Sequence, residues 1–142
     1  MTSPLTNLGL SIPVIAAPMA GGATTPAMVI AAARAGGLGL LAAGYKTPES
    51  LQVQISAVQS ESIPFGVNVF APNPVPITEA SYRAYAAAVQ READRFEISL
   101  PTEPIDDDDA FGAKIDVLLS NPVPLVSFTF GIPSDDVIRA LQ

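Results

Sequence analysis

Cysteine and histidine are both absent from the 142-residue chain, and each absence closes a route to function. Without cysteine there is no disulfide, no thiolate zinc site, no iron–sulfur cluster and no thiol nucleophile. Without histidine the commonest general base and the commonest metal ligand are gone. Chemistry within this stretch is left to carboxylates, lysine, tyrosine, backbone dipoles or a bound cofactor. Positive charge is also scarce, with 7 Lys and Arg against 14 Asp and Glu. A nucleic-acid partner is therefore not expected, because that binding rests on cations that neutralise phosphates. No apolar run approaches the roughly 18 residues needed to cross a bilayer. The opening residues Met1 to Asn7 lack the basic-then-apolar layout of a signal peptide. The expectation is a cytoplasmic protein with no membrane partner.

What is present is hydrophobic: 49% of residues are apolar and only 15% charged. Such a chain is built to bury surface, and its length suits one core. Pro13 to Ala17 is a short apolar run closed by Pro18, which predicts a fully buried parallel strand. Thr25-Pro26 then opens a small-residue helix that stops at Gly36-Gly37. Leu38 to Ala42 predicts the second strand, and Thr47-Pro48 opens a helix running from about Glu49 to Gln59. Phe65 to Phe70 predicts the third strand, followed by the proline-rich residues 71–76 as an ordered loop or lid. Helices over about Glu79 to Arg95 and Asp109 to Leu119 come before the next strand signal at Val123 to Phe128. The long connection between them reads as an insertion into the third βα unit, and a last helix opens at Pro133-Ser134. Alternating strands and helices predict an α/β fold with a parallel sheet. Length and periodicity by themselves favour an open doubly wound sheet, since a (β/α)8 barrel needs about 250 residues.

Ligands of parallel α/β folds bind where strands hand over to their loops, so Ala17-Pro18-Met19-Ala20-Gly21-Gly22 is a candidate site. Its glycines permit close approach to a flat ligand, and a tight turn over a buried methionine explains the same residues. Gly36-Gly37-Leu38-Gly39 follows a helix and leads into a strand, the reverse of a dinucleotide fingerprint, and reads as a helix cap with close packing. Asn68 is the polar residue inside an apolar strand. Its amide suits the edge of a flavin or nucleobase, and equally a structural bond to a neighbouring strand. The acidic residues 106–109 lack the spacing of a calcium loop and read as a solvated helix start. Lys46 reads as an exposed loop charge, and Tyr45, Phe128 and Thr129 fall near strand ends.

Four segments taken together closely resemble the nitronate monooxygenase family, formerly called 2-nitropropane dioxygenases. They are PVIAAPMAGG (residues 13–22), AGGLGLLAAGYKTPE (35–49), PFGVNVFAPNP (64–74) and PLVSFTFG (124–131). The resemblance overrides the open-sheet preference and implies the N-terminal half of a TIM-type (β/α)8 barrel, with residues 1–142 as one truncated portion of an FMN-binding domain. It implies oxidation of alkyl nitronates by molecular oxygen to carbonyl compounds and nitrite, with no nicotinamide consumed. It places Ala17, Pro18 and Met19 beside the flavin ring and Asn68 within hydrogen-bonding reach of it, with Phe128 and Thr129 lining the mouth. The family's catalytic histidine and phosphate anchor belong to the second half, so no catalytic residue and no metal ligand is expected here, and the short chain is expected to be inactive. Partners would be the nitronate, oxygen and a second copy of the half barrel. An FMN-dependent enoyl-reductase-like barrel and a non-catalytic half-barrel module are the competing readings.

Overall fold

The computed structural model describes residues 8–72 and 77–142. The expected signal-free start at Met1 to Asn7, and most of the proline-rich loop (Asn73 to Pro76), lie outside the described residues. The chain divides into two compact units, Met1–Pro72 with Asp108–Gln142, and Asn73–Asp107. In chain order the elements are β1 (Ile15–Ala16), α1 (Pro26–Arg34), β2 (Leu38–Ala42), α2 (Pro48–Gln59), β3 (Phe65–Phe70), α3 (Glu79–Arg95), α4 (Phe111–Ser120), β4 (Leu125–Thr129) and α5 (Asp135–Leu141).

Local chemistry explains most of these boundaries. Thr25, Thr47 and Ser134 sit in extended backbone just before α1, α2 and α5, and each hydroxyl accepts a backbone N–H from the first turn. This satisfies one of the donors that a helix start leaves without a partner. At the end of α1, Gly36 adopts φ 91°, and the N–H groups of Gly36 and Gly37 donate back to Ala33 and Ala32. That paired closure needs a residue free to turn left-handed. The predicted helix cap and close packing are both present: a Cβ on Gly39 would stand 2.6 Å from Val29 Cα. Helix α1 thus rests directly on β2.

The larger unit is a four-stranded sheet in the order β1-β2-β3-β4, every neighbour pair parallel. A doubly wound sheet reverses its strand order partway and places helices on both faces. Here the order never reverses. The face of the sheet bearing Leu41, Val67 and Val69 packs into one core with Val29 of α1, Leu51, Ile55 and Val58 of α2, and Ile115 and Leu118 of α4, with Val137 and Leu141 of α5 beside it. Side chains alternate along a strand, so the opposite face carries Ile15, Leu40, Gly66, Asn68, Ser127 and Thr129. Sequential parallel strands with their helices on one side are successive units of a (β/α)8 barrel wall.

Several expectations need correction. β1 is only two residues long, and Val14 and Ile15 are 56% and 44% exposed rather than fully buried. Among the described residues the strand has a partner on one side only, β2, which leaves its other edge open. α4 starts at Phe111 rather than Asp109, because Asp109 and Ala110 are both left-handed, with φ 55° and 51°. It packs against α2 and β3 and so completes the third βα unit. The insertion is therefore residues 73–107 alone. Within that unit, α3 begins at the Thr78 cap. Its C-terminal turn is held by Ile98 N–H donating to the Ala93 carbonyl, 2.9 Å. The Tyr82 hydroxyl donates to the Pro101 carbonyl, 2.7 Å. Among the described residues no helix is long and apolar enough to cross a membrane.

Candidate functional site

Because all four strands run in one direction, their C-terminal ends share one edge of the sheet, and the loops leaving that edge carry the candidate residues. After β1, Ala17 and Met19 are exposed and Pro18 is half-buried. The turn behind them is closed by Thr24, which is buried: its Oγ1 accepts from Met19 N–H at 2.8 Å, and its own N–H donates to the Met19 carbonyl at 3.3 Å. Between these anchors Gly21 and Gly22 adopt φ 77° and 100°, with open space where side chains would stand. The methionine of this turn is 46% exposed, so the reading as a turn over a buried methionine does not hold.

Asn68 lies on the face opposite the helix core and is 7% exposed. Its Nδ2 donates to Ser127 Oγ at 2.9 Å and to Thr129 Oγ1 at 3.0 Å, and the Thr129 hydroxyl lies 3.2 Å from Asn68 Oδ1. The register sets Asn68 beside Ser127 and Phe70 beside Thr129, so strand pairing alone brings these polar groups together. Both amide hydrogens are engaged, while Oδ1 keeps capacity for one further donor. The neighbouring-strand bond and an available acceptor therefore coexist. Thr129 joins this island, but Phe128 does not line the mouth. It points to the helix side, with its ring 6.4 Å from Phe111, because it is one residue out of phase with Thr129.

Above the island stands a group of aromatic rings that sequence reasoning only partly identified. Phe70 meets Tyr45 edge to face at 5.4 Å and Phe130 at 4.8 Å, centroid to centroid. Tyr45 and Phe130 are 75% and 72% exposed. Gly44 makes room for the stack, since a Cβ there would come within 2.4 Å of the Phe70 ring. Tyr45 holds φ 63° in the turn closed by Lys46 N–H donating to the Ala43 carbonyl, and Phe130 holds φ 73°.

Asp109 corrects the reading of residues 106–109 as wholly solvated. Asp106, Asp107 and Asp108 are exposed. The Asp109 side chain is only 13% exposed, pairs with Lys114 Nζ at 2.6 Å, and accepts Tyr45 N–H on Oδ1 at 2.9 Å. Lys114 is fully buried. It falls on the apolar stripe Phe111, Lys114, Ile115, Leu118, and that spacing is the signal that could have revealed it. Lys46 is likewise half-buried rather than an exposed charge. Its ammonium donates to the Ala42 carbonyl at 2.7 Å and to Gln54 Oε1 at 2.9 Å. Burial, and then the charge of Lys114, lower its pKa from the ordinary lysine value.

The nitronate monooxygenase family model matches residues 2–142. A probable nitronate monooxygenase of Staphylococcus aureus (strain MSSA476) is 35% identical over 136 residues, which are 95% of this chain and 38% of that protein. The probable nitronate monooxygenase of S. aureus strain Newman matches to the same extent. Among solved structures, nitroalkane oxidase from Streptomyces ansochromogenes superposes with a TM-score of 0.84 at 43% identity, covering 98% of this chain and 39% of that one. A FabK variant from Thermotoga maritima shares the fold, with a TM-score of 0.65 at 24% identity over 99% of this chain and 36% of that one. The chain thus spans well under half the length of the relatives it matches, and its four parallel strands correspond to part of their barrel. By its sequence and its fold, the chain belongs to the nitronate monooxygenase family.

Proposed function

We propose that this chain supplies the first half of an FMN-dependent barrel that oxidises alkyl nitronates with molecular oxygen to carbonyl compounds and nitrite. The observation that carries the reading is the polar island of buried Asn68 with half-buried Ser127 and Thr129, at the C-terminal ends of adjacent strands. An amide acceptor with spare capacity suits a flavin ring N–H. The Pro18-Met19 turn, pinned by Thr24 and opened by Gly21 and Gly22, leaves a thioether for the flat ring to lie against. Bound FMN would supply the electron-accepting chemistry, which no side chain of this sequence provides. The residues of this chain would bind and orient the ring. On the family resemblance the general base and the phosphate anchor belong to the second half of the barrel, so the 142-residue chain by itself is expected to be inactive.

The deciding test uses the full-length protein carrying this segment. It should bind FMN non-covalently and release nitrite from a small alkyl nitronate without NAD(P)H, whereas NAD(P)H-dependent enoyl reduction with no nitrite would refute the reading. In that protein Asn68→Ala should weaken FMN binding by about tenfold to a hundredfold, the equivalent of roughly 1–3 kcal/mol for a lost buried hydrogen bond. Unchanged FMN affinity, measured by fluorescence titration, would leave Asn68 with only its β3–β4 role.

The isolated chain should also self-associate. Among the described residues β1 and β4 each pair with a strand on one side only, and unpaired edges favour pairing with another chain. Sedimentation at micromolar concentration should show dimers or larger species. A monodisperse monomer would argue against this.

A further inference from the structure

Among non-glycine residues, positive φ costs roughly 1–2 kcal/mol and gathers where surrounding structure enforces it, commonly at functional sites. Among the described residues, four of the six such positions lie in two places. Tyr45 and Phe130 stand at the start of the loops that follow β2 and β4, and Asp109 and Ala110 form the turn before α4. Tyr45 occupies the third position of its turn, where φ above zero is normally left to glycine or asparagine. A bulky ring would not be held there unless something compensated.

The compensating group is Asp109. Its Oδ1 accepts the Tyr45 N–H, and its carboxylate is held by Lys114, which has no exposed surface. A buried ion pair is weak evidence for stability, because desolvating both charges offsets most of their attraction. Its value here is directional, since it fixes the carboxylate oxygen that meets the Tyr45 amide.

We propose that Asp109 and Lys114 are a positioning pair that clamps the turn after β2 and thereby sets Tyr45 beside Phe70 and Phe130 as an aromatic wall for the hydrocarbon part of the substrate. The substrate half of this proposal rests on the nitronate reading above; the clamp does not. The wall favours longer alkyl or arylalkyl nitronates over the smallest ones, because each added methylene gains apolar contact.

Two charge-neutral double variants of the full-length protein separate positioning from simple stability. Asp109→Asn with Lys114→Met keeps an oxygen acceptor, whereas Asp109→Gly with Lys114→Met removes it. Both asparagine and glycine tolerate the left-handed backbone at this position. Hydrogen exchange of residues 43–47 should stay slow in the first and quicken at least tenfold in the second. In the second, KM for a long-chain nitronate should rise severalfold more than KM for ethyl nitronate, with a smaller change in kcat. Tyr45→Gly, which removes the ring and relaxes the turn, should reproduce that chain-length dependence. Equal exchange in the two doubles would overturn the clamp, and an unchanged ratio of KM values in Tyr45→Gly would overturn the wall. A protein that oxidised no nitronate would overturn the functional reading and the wall together, while the exchange comparison would still decide the clamp.

Discussion

Replacing Lys114 alone with methionine is expected to destabilise the chain by about 3–5 kcal/mol, the range seen when one partner of a buried ion pair is removed. The aliphatic stem of methionine fits where the lysine stem lay, so lost packing is a minor part. The cost comes from Asp109, left 13% exposed without the ammonium that stood 2.6 Å away. Adding Asp109→Asn should recover most of the loss, because the neutral amide no longer needs a counter-charge. Urea unfolding of the single and double variants measures both effects. A single variant within about 0.5 kcal/mol of the parent, the range of an ordinary surface change, would show that Asp109 finds water or another partner.

The second large effect is expected at Leu41. Its side chain has no exposed surface and lies in the middle of the core shared by α1, α2 and α4. Leu41→Ala should cost about 2–5 kcal/mol, combining lost transfer free energy with the cavity left behind. Val14→Ala, at 56% exposure, should cost far less although both residues belong to apolar runs of similar appearance. Parallel thermal melts would test the contrast, and similar losses at the two sites would contradict the burial described for β1.

That contrast marks what the sequence could and could not reveal. The Thr-Pro starts of α1 and α2, the span of α3 and the run of β3 were legible because caps, proline and apolar continuity act within a few residues. The exposure of Val14 and Ile15 was not, because an apolar run reads alike whether one or both of its sides are paired. Phase was also hidden. A one-residue difference separates Thr129, on the polar island, from Phe128, in the helix core, and an apolar strand without alternation does not announce which face is which. Barrel rather than open sheet could not be read from length or period, and only the combined motifs pointed that way. At the site, Asn68 stood out as an amide in an apolar strand. Its partners Ser127 and Thr129 lie 59 and 61 positions away, and only strand pairing connects them. Asp109 was obscured by the three exposed carboxylates before it.

The sequential strand order also bears on how the chain acquires its structure. Each strand pairs with the one made before it, so β1 to β3 can assemble in the order of synthesis, with no wait for a distant partner. The β3–β4 pairing spans the longest interval, because residues 73–107 intervene. Closing a flexible loop costs only about 0.6 kcal/mol more for each doubling of its length, so the insertion burdens the final sheet little. Its cost is in time, since separation along the chain slows assembly more than it weakens the product. Asn68 waits on that last closure for Ser127 and Thr129, and the polar island is therefore completed only when β4 arrives.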